Sequence, residues 1–114
     1  MEEILFLIYG NHPKSKKLYV EAEKVINIIR EKGEIERNEL AKQLNLDLSK
    51  AKDKKHFYAI ISPMFNKILI SEHRGKDLVI YKLSYDIFRI YLDGIRRKAK
   101  YYLTKESETD NDVL

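Results

Sequence analysis

Lys52, Lys54, Lys55 and His56 gather basic nitrogens at the head of a stretch that runs on through Ala59, Ser62 and Asn66. A second basic group, His73, Arg74 and Lys76, follows after an apolar run. Ammonium groups act as hydrated point charges, and a guanidinium offers a planar fork of donors that matches phosphate. Ala59 and Ser62 are small enough to let a backbone approach closely, and the Asn66 amide both donates and accepts hydrogen bonds. Residues of these types hold an anion and read its surroundings; they do not break bonds.

The remaining reactive side chains argue against an enzyme. The three histidines, His12, His56 and His73, fall in three separate segments and have no metal-ligand spacing. The four glycines, Gly10, Gly33, Gly75 and Gly94, are isolated, so no loop cradles a phosphate. The absence of cysteine excludes disulfides, thiolate zinc sites and a thiol nucleophile. No serine sits in a strained nucleophile turn. No cofactor, metal or small-molecule ligand is inferred.

Composition fits one domain: 114 residues, 44% hydrophobic and 35% charged. The net charge of +4 is unevenly spread. Residues 106–114 hold Glu106, Glu108, Asp110 and Asp112 without a base, which leaves the body, residues 1–105, at +8. A basic body favours polyanionic partners, although lysine also serves simply as a solubilising residue. The acidic segment reads as a disordered tail. The first ten residues are too briefly apolar for a signal peptide or membrane span, and lack of cysteine suits a reducing compartment, so the expected location is cytoplasmic.

The elements that must carry these residues follow from periodicity. ILFLIY, residues 4–9, reads as a short helix ended by Gly10–Pro13. Leu18, Ala22, Val25, Ile26 and Ile29 then share one face of a helix expected from Ser15 to Lys32, with Ser15 as its cap and Gly33 as its stop. Ile35 suits a short strand. Leu40, Ala41 and Leu44 mark a second helix ended by Asn45, followed by a polar linker to Lys52. Over residues 53–67, capped by Asp53, the apolar Phe57, Ile60, Ile61, Met64 and Phe65 lie opposite Lys52, Lys55, Ala59, Ser62 and Asn66, with His56 at the margin. Pro63 is expected to bend this helix without ending it. ILISEHR and DLVIYKL flank Gly75-Lys76, a two-residue hairpin turn. Ser84 caps a last helix with two apolar stripes: Phe88, Tyr91, Leu92, Ile95, Ala99, Tyr102 and Leu103 on one side, Ile87, Ile90, Gly94 and Tyr101 on the other. Two stripes imply burial on both sides, by a second copy of the chain or by the ILFLIY segment. Arg96, Arg97, Lys98, Lys100 and Lys105 at its end are accounted for by the helix dipole.

This order resembles winged helix-turn-helix domains. GEIERNELAKQLNL resembles the first part of the helix-turn-helix, HFYAIISPMFNKILI its recognition helix, and ISEHRGKDLVIYKLS the wing. The resemblance covers about residues 15–83, and residues 84–105 resemble the dimerisation helix of small archaeal and bacterial regulators. It implies an α+β, mainly α fold with a two-stranded wing and an added C-terminal dimerisation helix.

What it implies for function is sequence-specific binding of double-stranded DNA by a homodimeric transcription regulator. Residues 53–67 would enter the major groove, with Lys52, Lys54, Lys55 and His56 leading and Ala59, Ser62 and Asn66 facing the bases. The wing, residues 70–81, would carry His73, Arg74 and Lys76 to the adjacent minor groove or backbone. Ile87, Ile90, Gly94 and Tyr101 would form the dimer interface. Two alternatives stay open: a winged-helix module that binds protein, and RNA binding in which exposed Tyr58 or Tyr81 stacks on bases.

Overall fold

The computed structural model describes residues 1–105; the expected disordered tail, residues 106–114, lies outside the described residues. The fold is α+β and mostly helical, with one small antiparallel sheet. Its elements are α1 (Glu2–Tyr9), α2 (Pro13–Lys16), α3 (Tyr19–Lys32), β1 (Ile35–Glu36), α4 (Arg37–Gln43), α5 (Ala51–Ile61), a 3-10 turn (Ser62–Met64), β2 (Leu69–His73), β3 (Val79–Leu83) and α6 (Tyr85–Leu103). Strand order is β1-β3-β2, with Tyr81 opposite both Ile35 and Ser71. The sheet therefore has three strands: Ile35–Glu36, the short strand expected at Ile35, pairs with β3 beside the two-stranded hairpin.

The core forms where α3, α4, α5 and β3 meet. Val25 and Ile29 from α3, Leu40 from α4, Phe57, Ile60 and Ile61 from α5, and Met64, Leu69 and Tyr81 are all essentially inaccessible. Their spacing explains the elements: residues three and four apart on a helix share a face. α1 closes one end through Leu5 and Ile8, and the Tyr9 hydroxyl donates to the Ile60 carbonyl. Burial pushes the Tyr9 pKa up.

Local chemistry sets most boundaries. Gly33 ends α3 at φ 82, a left-handed conformation that costs glycine little. Asn45 does the same after α4 at φ 60, as expected. The Ser84 hydroxyl accepts from the Ile87 N–H at 3.1 Å and starts α6.

Three boundaries differ from the periodicity. α3 starts at Tyr19, because Pro13 opens a separate four-residue helix whose cap is His12, so Ser15 caps nothing. α5 runs from Ala51 to Ile61 and stops, so residues 53–67 are not one helix. Pro63 lacks the N–H that would bond the carbonyl four residues back, and the chain tightens into the 3-10 turn. The hairpin turn is longer than Gly75-Lys76: the Arg74 N–H donates to the Leu78 carbonyl at 2.9 Å, and Gly75 and Asp77 take φ 95 and 65. Among the described residues no helix is long and apolar enough to cross a membrane.

Candidate nucleic-acid interface

α5 is aimed by a tight turn that its aspartates build. The Asp47 carboxylate accepts from the Ser49 N–H at 2.9 Å and the Ser49 hydroxyl at 2.7 Å, and these bonds hold its pKa below the ordinary value. The Asp53 carboxylate accepts from the Asp47 N–H at 3.0 Å, tying the first turn of α5 back to the α4 connection. Asp53 thus braces the turn, while Lys50 occupies the cap position that Asp53 was expected to fill. The supposed linker is an ordered reversal.

From this turn Lys52, Lys54 and Lys55 project into solvent and enter no ion pair among the described residues. Positive side chains in the first turns of a helix oppose its dipole, so these lysines are not explained by local helix stability. Along the same side the exposed Ala59 and Ser62 continue the strip, within about 80° of Lys52 and Lys55 on a helical wheel. Lys52, Lys55, Ala59 and Ser62 form one exposed strip.

The other expected contacts lie elsewhere. His56 Nε2 sits 2.8 Å from Glu21 Oε1, so the imidazole ties α5 to α3. Asn66 is not on a helix. It follows the 3-10 turn at φ 64, and its N–H donates to the Leu69 carbonyl at 3.2 Å, turning the chain into β2. Its side chain remains exposed, but on a reversal and not on the face of α5.

At the hairpin, Lys76 and His73 are exposed, whereas Arg74 is engaged. Its guanidinium donates to both Glu34 oxygens, at 2.5 and 2.9 Å, and to Glu72 at 2.8 and 3.2 Å. Lys82 lies 3.1 Å from Glu72 and 3.7 Å from Glu34. Two acids thus balance two bases, and Arg74 brings no net charge to the tip. Its hydrogen bonds, followed by those of Lys82, hold the Glu72 pKa at about 2, and the Arg74 hydrogen bond is the main cause of the lowered Glu34 pKa. Asp77 beside Lys76 reduces the tip's basicity further.

Periodicity alone did not single out Arg37. Its Nη1 donates to the Tyr58 hydroxyl at 3.4 Å, while its Nε is buried without a hydrogen-bond partner among the described residues. Tyr81, expected as an exposed aromatic, is buried at 1% exposure, and Tyr58 is half-buried. Tyr81 therefore presents no free ring face of the kind base stacking requires. No group of three or more metal-ligating side chains occurs among the described residues.

No family model, curated protein or solved structure matches this chain.

Proposed function

We propose that the protein binds double-stranded DNA as a dimeric transcription regulator of winged-helix type, with α5 in the major groove. One observation carries this reading: three solvent-exposed lysines without ion-pair partners among the described residues stand at the positive end of α5, against the helix dipole, and two of them, Lys52 and Lys55, lead a strip of small residues. Phosphates relieve that electrostatic cost, and the strip of Ala59 and Ser62 lets the helix backbone approach base edges. In this reading Lys76 and His73 touch the flanking backbone or minor groove. Arg74 holds the hairpin to the Glu34 corner and meets phosphate only by exchanging a carboxylate for it. His56 positions α5 on α3, and Asn66 contributes from the turn below the helix.

Selection of bound sequences from random duplex DNA at near-physiological salt tests the proposal. Enrichment of a site with two related half-sites is the expected result. Recovery of unenriched sequences, with no duplex retention at low salt, would refute it.

A second reading has its own support. The hairpin is charge-balanced, which favours a winged-helix surface that docks on protein, as such folds host unrelated functions. It predicts a stable protein complex and no duplex affinity at low salt.

A further inference from the structure

A charged joint fastens the hairpin to the body. Glu72 lies on β2 opposite Ile80, and Lys82 lies two residues further along β3, so the two side chains share a face and meet diagonally. Arg74 follows two residues after Glu72 and joins them on that face. Glu34 stands just before β1, which pairs with β3 through Ile35 and Glu36. The four charges therefore reach across the whole sheet, and the Arg74–Glu34 contact joins residues 40 apart in the chain. Past that contact the turn, residues 75–78, is exposed throughout.

The joint has the chemistry of a phosphate site that is already filled. Arg74 spends its Nε and Nη2 on Glu72 and its Nη1 and Nη2 on Glu34. A guanidinium fork fits carboxylate and phosphate in the same bidentate way, so a phosphate arriving at the hairpin has to replace a carboxylate. Lone surface ion pairs contribute little, but bidentate pairs within a network hold. The four side chains are 33–40% exposed, which leaves the joint open to such an exchange. Lys82 eases it: a departing Arg74 leaves both acids beside a cation, at 3.1 Å from Glu72 and 3.7 Å from Glu34.

We propose that Glu34 and Glu72 form an autoinhibitory latch on Arg74, pinning the hairpin to the body and holding off phosphate until a phosphate of duplex DNA displaces Glu34. The latch rests on the DNA reading above. Glu34 is the carboxylate that yields, because Glu72 belongs to the hairpin and travels with Arg74, whereas Glu34 belongs to the body. The two acids thus lower the grip of the hairpin on nucleic acid, and their removal strengthens it.

Glu34→Gln with Glu72→Gln keeps the side-chain shapes and removes both charges. Fluorescence anisotropy with a labelled duplex, at several salt concentrations, should show the slope of log affinity against log salt steepen by about 0.9, the value of one added phosphate contact. In an Arg74→Gln background the same two changes should leave the slope where it was, since the effect runs through the arginine. Glu23→Gln with Glu31→Gln removes equal charge from the exposed side of α3 and should not steepen it. Without DNA, Glu34→Gln should quicken hydrogen exchange at the Arg74 N–H, which closes the turn onto the Leu78 carbonyl. An unchanged slope in a protein that binds duplex overturns the latch alone. So does steepening that persists without Arg74 or that the α3 pair reproduces, and so does unchanged exchange. Failure of the wild type and every variant to bind duplex at low salt sinks the DNA reading, and the latch falls with it.

Discussion

Removing the lysines at the head of α5 should flatten the salt dependence of DNA binding by a predictable amount. Lys52, Lys54, Lys55 and, at the hairpin tip, Lys76 are exposed and free of ion pairs among the described residues. Each phosphate they neutralise contributes about 0.9 to the slope of log affinity against log salt. Four contacts give a slope of about −3.6, so raising salt from about 50 to about 200 mM weakens binding roughly 150-fold. Replacing Lys52, Lys54 and Lys55 by alanine leaves one contact, a slope of about −0.9 and a loss of only about 3.5-fold over the same range. Arg74→Gln should alter the slope far less than Lys76→Ala, because Glu34 and Glu72 already balance the arginine. Fluorescence anisotropy with a labelled duplex, titrated at several salt concentrations, measures the slope. Lys24→Ala, on the exposed side of α3, is the comparison. If it flattens the slope as much as Lys55→Ala does, the attraction is a diffuse field and the assignment to α5 is wrong.

Asn66→Gly should be neutral or slightly stabilising and Asn66→Ala should cost about 1 kcal/mol in urea unfolding, since φ 64 suits glycine and strains alanine; equal stability of the two would contradict the left-handed turn. Glu36→Ala removes the carboxylate that accepts from the Asn38 and Glu39 N–H groups at 2.9 and 3.3 Å. A loss of about 1 kcal/mol is expected, read as a melting temperature about 4–6 °C lower, and an unchanged melt would count against the cap. Arg74→Ala should return the Glu72 pKa from about 2 toward its ordinary value, followed by carboxyl NMR. Because the folded-state pKa is depressed, the carboxylate's contribution to stability is present above the unfolded value of 4.5 and fades as pH falls toward about 2. In the variant that acid-induced loss should shrink, and an unshifted Glu72 titration would show that Arg74 is not its partner.

How much of this was legible in the sequence depends on how local the determining physics is. The apolar spacing of Val25, Ile26 and Ile29, the stops at Gly33 and Asn45 and the Ser84 cap were readable, because each rests on helix periodicity or one residue's backbone preference. The strip of Lys52, Lys55, Ala59 and Ser62 was readable for the same reason. What escaped was pairing across distance. His56 with Glu21, Arg74 with Glu34, and Arg37 with Tyr58 join residues far apart in the chain, and no periodicity reports them. Two misses had local signals: Asp47-Leu48-Ser49 has the pattern of a turn closed by its own aspartate, and Pro63 withholds an N–H from the helix before it.

Pro63 determines more than the length of one helix. An α5 continued to residue 67 would have set Ser62 and Asn66 on one outer face and offered a long reading surface. By stopping at Ile61 it leaves three turns, and the exposed side holds lysines at one end and only Ala59 and Ser62 beyond them. Such a surface has few groups able to hydrogen-bond base edges, and each good bidentate contact is worth about 1–3 kcal/mol of discrimination. One copy of the chain is therefore better equipped to grip phosphates than to choose between sequences. Specificity would have to come from a second copy fixed at a set spacing, and the open stripe of α6 with Gly94 at its centre is the part of the molecule suited to supply it. Under the proposed DNA-binding reading, the short α5 and the exposed α6 have one explanation: selectivity lies in the pair.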